Sequence, residues 1–134
     1  MQIRIYYEDT DAGGVVYHSN YLKFCERARS EIFFQKNAKI FDKNTGHFLL
    51  TKANCSFLKP AKLGDLIEVK TFITKLKKAS VCIKQEIYKD STKLFEAEFT
   101  LAFLKNEKVA PIDETIAKVF TDFAKEQNLS LASE

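Results

Sequence analysis

Residues 7–34 read YEDTDAGGVVYHSNYLKFCERARSEIFF. Acids, a glycine pair and a histidine lead directly into a helical pattern. From about Ser19 to Lys36, Leu22, Cys25, Ala28 and Ile32 recur at spacings of three and four. Lys23, Arg27, Ser30 and Glu31 share the opposite side. Phe24, Phe33 and Phe34 widen the apolar surface well beyond one stripe. A helix this apolar is more than a surface helix and predicts that other elements wrap around it.

Working outward, residues 2–8 alternate, with Ile3, Ile5 and Tyr7 on one side and Arg4, Tyr6 and Glu8 on the other, which reads as a strand with unlike faces. TDAGG then interrupts regular structure, since adjacent glycines permit backbone angles that other residues resist. After the helix, NAKIFDKNTG reads as a loop. Four strand-like segments follow: HFLLTKANCSFLKP, LIEVKTFITKL, SVCIKQEIY and LFEAEFTLAFL. Pro60 and Gly64 mark one turn between them and KDSTK another. Ile67, Val69, Thr71 and Ile73 share a face, as do Val81, Ile83 and Ile87, and as do Phe95, Ala97, Phe99, Leu101 and Phe103. PIDETIAKVFTDFAKEQ closes the chain as an amphipathic helix, with Asp113 as its N-cap and Ile116, Val119, Phe120 and Phe123 as its stripe.

Strands joined by tight turns favour antiparallel pairing, because parallel pairing needs long crossovers. The expected architecture is α+β, a five-stranded antiparallel sheet wrapped around a long central helix. No repeat or linker divides the chain, so residues 1–134 read as a single domain.

The composition narrows the function classes. With 46 % hydrophobic and 29 % charged residues spread along 134 positions, the chain is an ordinary globular one and not a disordered one. The net charge of +3 is too mild to imply nucleic acid. It is unevenly placed: Lys59 to Lys93 holds nine lysines against four acids, a basic stretch that forms either a solvated face or an anion-attracting surface. Cys25, Cys55 and Cys82 form no CxxC pair and share no metal-ligand spacing with the two histidines, which fits thiols in a reducing compartment. Neither a signal peptide nor a transmembrane stretch is evident, so a cytoplasmic protein is expected.

The acid cluster admits several readings. EDTD fits a solvated turn. A calcium loop starting at Asp9 fails, because Gly13 falls where Asp or Asn is wanted and Asn20 where Glu is wanted. AGGVV matches neither phosphate-binding glycine pattern. The remaining reading is positional: Asp11 precedes the glycines and His18 stands seven residues later at the helix start. Helix N-termini offer unpaired N–H donors that stabilise an oxyanion, and a carboxylate facing the same point serves as nucleophile or general base. Those are the parts of an acyl-transfer hydrolase without a serine or cysteine nucleophile.

RIYYEDTDAGGVVYHSNY resembles the active-site signature of the 4-hydroxybenzoyl-CoA thioesterase family, closest to its YbgC-type, Tol–Pal-associated acyl-CoA thioesterases. The pattern runs from Arg4 through Thr10, Asp11, Gly14, Val15, Val16 and Tyr17 to Asn20 and Tyr21. The resemblance implies the hotdog fold over nearly the whole chain. It implies that Asp11 is the catalytic carboxylate and that the backbone N–H at His18 points at the thioester carbonyl. The His18 side chain either orients water or substrate, or packs and caps the helix. Tyr7 either positions the carboxylate or substrate, or is a core tyrosine. Gly14, Val15 and Asn20 belong to the substrate-binding stretch. Lys77 and Lys78 become candidates for the coenzyme A phosphates, with Lys59 and Lys62 as weaker ones. Phe24, Phe33, Phe34 and Phe57 fall near the implied pocket.

The implied activity is hydrolysis of acyl-CoA to free acid and coenzyme A. No metal is implied, and no cofactor either, since coenzyme A is part of the substrate. A homodimer or homotetramer is implied, with each site built across a subunit boundary. Two alternatives stand beside it: a hotdog dehydratase, which needs a catalytic histidine with a helix carboxylate, and an acyl-CoA-binding adaptor linked to envelope or lipid-synthesis partners.

Overall fold

The structure, a computed structural model, describes residues 1–37, 41–42 and 46–132. It has the expected α+β hotdog architecture. Strands β1 (Gln2–Arg4), β2 (Phe41–Asp42), β3 (Gly46–Phe57), β4 (Leu66–Leu76), β5 (Ser80–Lys89), β6 (Thr92–Lys105) and β7 (Lys108–Val109) form one antiparallel sheet. Its order is β1-β4-β5-β6-β3-β2, with β7 folded back on β6. The five strands foreseen are present, and β2 and β7 are two-residue additions at its margins. Most of the expected loop at residues 37–46 lies outside the described residues; β2 is its described strand segment.

The three central strands match their alternation. Ile67, Val69 and Thr71 of β4, Val81, Ile83 and Ile87 of β5, and the five named residues of β6 are all buried on the inner face. Register shifts at Leu50/Lys52 in β3 and Ile73/Lys75 in β4 bend the sheet, as an extra unpaired residue does. Helix α1 (Asn20–Phe34) lies in the resulting curl. Its inward residues are Tyr21, Phe24, Cys25, Ala28, Ile32 and Phe33. Leu22, expected inside, stays partly exposed because Tyr21 takes that direction, and Phe34 faces out beyond the core. Helix α2 (Glu114–Ala132) starts after Asp113 and packs Ile116, Val119 and Phe120 onto the far half of α1.

The first strand is shorter than its alternation suggests. Ile5 leaves the ladder to bond the β3–β4 turn, its N–H donating to the Asp65 carbonyl at 2.9 Å while its carbonyl accepts from Gly64 N–H at 2.9 Å. Tyr7–Asp9 then form a 3-10 turn, held by the Asp9 carboxylate accepting from Tyr6 N–H at 2.9 Å. Side-chain-to-backbone bonds of this kind compete with strand pairing. Tyr7 is therefore 82 % exposed in the chain. The core-tyrosine alternative is wrong, and the alternating pattern misled because it continued past the last paired residue.

One polar group sits where alternation demands an apolar one. Gln85 lies fully buried between Ile83 and Ile87 of β5. Its amide donates to the Cys25 carbonyl at 2.9 Å and the Thr71 hydroxyl at 3.0 Å, and its oxygen accepts from the Arg29 guanidinium at 2.9 Å. Every hydrogen-bonding partner it needs is supplied, which removes the desolvation penalty. Arg29 also stacks over Phe99 at 4.7 Å. Burial lowers its pKa from the ordinary guanidinium range.

Cys25, fully buried beside this network, has its thiol pushed up to about 12 by burial. A raised thiol pKa contributes stability below the unfolded thiol's value, near 8.5. That contribution is lost as pH rises from there towards about 12. Thiol reagents at mildly alkaline pH are expected to leave Cys25 unmodified in the folded chain, a result that mass mapping of labelled peptides checks. Rapid labelling of Cys25 under native conditions would contradict this burial.

Candidate active site

Residues 9–18 form a tight hairpin immediately before α1. Thr10 pairs with Val16, Asp11 N–H donates to the Val15 carbonyl at 2.9 Å, and Tyr17 N–H to the Asp9 carbonyl at 3.0 Å. At its tip Gly14 adopts φ +78°, a left-handed conformation that favours glycine. A β-carbon on Gly13 would come within 3.2 Å of the Asp11 carboxylate, so a bare backbone there lets that carboxylate sit close.

The acids of the cluster separate by partner, which their order in sequence does not reveal. Asp9 is committed to structure: its carboxylate closes the 3-10 turn, and its carbonyl accepts from Tyr17 N–H and the Asn20 side-chain amide. Asp11 is exposed, and Gly13 N–H donates to its Oδ1 at 2.8 Å. Among the described residues no donor reaches its Oδ2. Asp11 is thus the acid that is both oriented and accessible.

The hairpin is clamped from the opposite side by the β3–β4 turn. Val16 N–H donates to the Ala61 carbonyl at 2.9 Å, Val15 bridges to Lys62, and the fully buried Ala61 N–H donates to the Tyr21 hydroxyl at 3.0 Å. Tyr21, on the first turn of α1, therefore ties the helix to the turn that clamps the loop carrying Asp11. Burial raises the pKa of its hydroxyl. Tyr21 ends the signature read from the sequence but was given no role there, and Ala61 was not singled out at all. Tyr21→Phe would leave the Ala61 N–H buried without an acceptor, and is expected to cost about 1–3 kcal/mol in urea denaturation. A variant as stable as the wild type would show the clamp to be dispensable.

His18 stands at the mouth of α1. Its ring lies 4.4 Å from that of Tyr17 and 6.3 Å from that of Phe57, and its carbonyl accepts from Tyr21 N–H at 3.4 Å. The helix N-cap is Ser19, and no side-chain cap bond is made there, so His18 does not cap through its imidazole. Among the described residues the backbone N–H groups of His18 and Ser19 donate to no backbone carbonyl.

The hairpin gathers Asp11, Gly14, Val15, His18 and Asn20 into one neighbourhood. Asn20, expected at the substrate, donates its amide to the Asp9 carbonyl at 2.9 Å and so holds the hairpin against the helix. Tyr7 abuts the neighbourhood through its carbonyl, which accepts from the Thr10 hydroxyl at 2.8 Å. Phe57 adjoins His18, and Phe24 packs on Tyr21. Phe33 and Phe34 belong to the other end of α1. Phe33 lines a separate cavity of about 380 Å³ with Phe48, Ile83, Leu101 and Phe120.

Lys77 and Lys78 are not brought to Asp11 within the chain. They occupy the β4–β5 turn, anchored where Phe103 N–H donates to the Ala79 carbonyl, whereas the hairpin lies near Phe57 and its partner Phe95. The strand length from Phe95 to Phe103 separates the two ends by roughly 25 Å.

Residues 13–96 match the family model of the thioesterase superfamily. The matched span begins two residues after Asp11. The chain is 40 % identical over 131 residues to the acyl-CoA thioesterase YbgC of Helicobacter pylori strain 26695, covering 91 % of this chain and 96 % of that protein. It is 38 % identical over 114 residues to the acyl-CoA thioester hydrolase YbgC of Escherichia coli O6:H1, covering 81 % and 84 %. A solved structure of a hypothetical protein from Aquifex aeolicus is similar at TM-score 0.85 and 27 % identity, covering 90 % of this chain and 97 % of that one.

Proposed function

From a chain that belongs to the thioesterase superfamily and is an acyl-CoA thioester hydrolase, we propose that Asp11 and the start of α1 perform the reaction. The observation that carries this is the contrast between the acids: Asp9 is bound up in the turn, while Asp11 is oriented by Gly13 N–H with one oxygen free. The His18 N–H, uncommitted to any backbone carbonyl among the described residues, faces the thioester carbonyl oxygen. It stabilises the negative charge that forms there on attack.

Two routes use the same carboxylate. As general base, Asp11 takes a proton from water, the hydroxide attacks the carbonyl carbon, and collapse of the oxyanion expels the coenzyme A thiolate, which takes that proton back. As nucleophile, Asp11 forms an acyl anhydride, releases coenzyme A, and is regenerated by water. Label in the Asp11 carboxylate after a single turnover in ¹⁸O-water marks the nucleophilic route. The nucleophilic route places label in the Asp11 carboxylate when water attacks its acyl-bearing carbon, whereas the base route places it only in the free acid. The His18 imidazole orients water or substrate from the mouth of the helix, and Tyr7 and Val15 border the same entrance.

The functional unit is a homodimer or homotetramer. Beyond the β2 pairing at Gly46 and His47, the outer edge of β3 has no neighbouring strand among the described residues. Leu49, Leu50 and Phe57 on that strand are 51 %, 41 % and 54 % exposed. A long apolar edge is a ready template for pairing with a second copy. No helix among the described residues is long and apolar enough to cross a membrane.

The test is thiol release from a panel of short, long and aromatic acyl-CoAs, comparing wild type with Asp11→Asn. Turnover of one class, lost in the variant, sustains the mechanism and bounds the acyl group. Binding of acyl-CoA without turnover by the wild type would overturn it in favour of an adaptor role.

A further inference from the structure

The β3–β4 turn is held from two sides by different residues. On one side it is fixed to the first strand and its continuation. Arg4 Nη1 donates to the Gly64 carbonyl at 2.8 Å, Gly64 N–H to the Ile5 carbonyl at 2.9 Å, and Ile5 N–H to the Asp65 carbonyl at 2.9 Å. On the other side it meets the hairpin that carries Asp11. Val16 N–H donates to the Ala61 carbonyl at 2.9 Å, Val15 bridges to Lys62, and Leu63 N–H reaches the Gly14 carbonyl at 3.5 Å. These contacts to the hairpin are made by residues 61–63, whereas those to the first strand are made by Gly64 and Asp65.

Asp65 joins the two halves. Its N–H donates to the Lys62 carbonyl at 3.0 Å, and its Oδ2 accepts from Lys62 N–H at 2.8 Å. The turn is thus closed twice, once through the backbone and once through the carboxylate. The other carboxylate oxygen, Oδ1, lies 3.0 Å from the ammonium of Lys89. Lys89 ends β5 one residue beyond the last pair of that strand with β4, Glu68 with Tyr88. Only 13 % of the Asp65 side chain is exposed. Burial opposes its ionisation, but the Lys62 N–H and the Lys89 ammonium outweigh that and hold the carboxyl below the usual carboxylate range. Both oxygens are therefore committed, one to the turn and one to the sheet.

Resting on the hydrolase reading above, we infer that Asp65 is a positioning residue for Asp11: pinned to the sheet by Lys89, it fixes residues 61–63 and, through them, the place of the Asp11 hairpin at the start of α1. Asp65 acts through the backbone bonds of the turn and the hairpin, since its own partners are Lys62 and Lys89. The lever is strong because reaction geometry is steep in distance. A misplacement of about 1 Å costs on the order of 100-fold in rate even when the substituted residue lies away from the chemistry. Binding of coenzyme A does not depend on that last ångström, so the effect falls on kcat rather than on KM.

The test separates position from stability. Asp65→Ala removes both bonds of the carboxylate. It is expected to lower kcat for acyl-CoA about ten- to a hundredfold with KM changed less than about twofold, at a temperature where melting shows the variant folded. Asp65→Asn keeps an acceptor for Lys62 N–H and loses only the pair with Lys89, so its kcat is expected within about fivefold of wild type. Lys89→Met removes the same pair from the other side, so D65N/K89M is expected to be no worse than the poorer single variant. That pattern sustains the inference. A folded D65A with kcat within about twofold of wild type overturns it, as does a loss confined to KM or to the melting temperature. D65N as poor as D65A overturns it too, because the acceptor for Lys62 N–H would then be idle. If D65A does not fold, K89M decides: a two- to fivefold lower kcat at unchanged KM sustains the inference, and an unchanged kcat overturns it. If Asp11→Asn keeps full turnover, the catalytic reading falls by itself, and amide hydrogen exchange decides the positioning in D65A or, failing that, K89M. Faster exchange at Val16 N–H with the β5–β6 ladder unchanged sustains it, and equal protection at Val16 overturns it.

Discussion

Asp11→Asn is expected to lower kcat by at least about 100-fold, with the chain still folded, because loss of a general base or nucleophile removes two to four orders of magnitude. The substitution is gentle on structure. Asparagine keeps an oxygen for Gly13 N–H, the bond now made at 2.8 Å to Oδ1, and the side chain is exposed, so no buried group is orphaned. Asp9→Asn gives the contrast. The Asp9 carboxylate accepts from Tyr6 N–H at 2.9 Å, within a turn whose remaining bonds are made by backbone carbonyls. Its replacement is expected to shift stability slightly and turnover far less than Asp11→Asn does. Thiol release and thermal melting on the two variants measure both effects. An Asp11→Asn enzyme within about tenfold of wild type would remove the carboxylate from the chemistry, since even weak general-base catalysis exceeds that factor.

The sequence carried the sheet because the sheet is built on a local rule. The named inward residues of β4, β5 and β6 recur every second position, and a period of two has one structural meaning. The same rule failed at Tyr7, where the Asp9 carboxylate and Tyr6 N–H make a turn that overrides alternation. It was also silent about Gln85, whose burial depends on Cys25, Arg29 and Thr71 converging from other elements. The hairpin acids were legible as a cluster, and the family signature singled out Asp11. What separates Asp11 from Asp9 physically is their hydrogen-bond partners, which are set by folding.

Distance was the other quantity that residue order concealed. Lys77 and Lys78 suit phosphate by charge, yet strand length alone holds them away from their own Asp11. Tyr21 shows the reverse. It closes the family signature, yet residue order gives it no physical role, which arises only because the β3–β4 turn presents Ala61 N–H to its hydroxyl at 3.0 Å.

Phe95→Ala is expected to destabilise the chain by about 3–5 kcal/mol, the range for truncating a buried phenylalanine. Phe95 is wholly buried and lies in register with Phe57 on β3 and Ile87 on β5. Its ring stacks on Tyr21 at 5.1 Å and 7° and meets the edge of Phe57 at 5.2 Å. Truncation removes both contacts and opens a cavity beneath the first turn of α1. Against a typical domain stability of about 5–15 kcal/mol, such a loss leaves little margin. The consequence reaches the site, because Tyr21 holds Ala61 and Phe57 borders His18. At temperatures where the variant is still folded, turnover should therefore fall together with stability. Phe95→Leu, which keeps most of the volume, should lose much less of either. Urea denaturation monitored by circular dichroism, paired with thiol release, reads both quantities. A loss below about 1 kcal/mol would mean that Tyr21 and Phe57 close over the gap, since the cost of a cavity depends on how far its walls relax. The active-site loop would then owe its position to the backbone clamp at Val16 and Ala61 rather than to the aromatic stack beneath it.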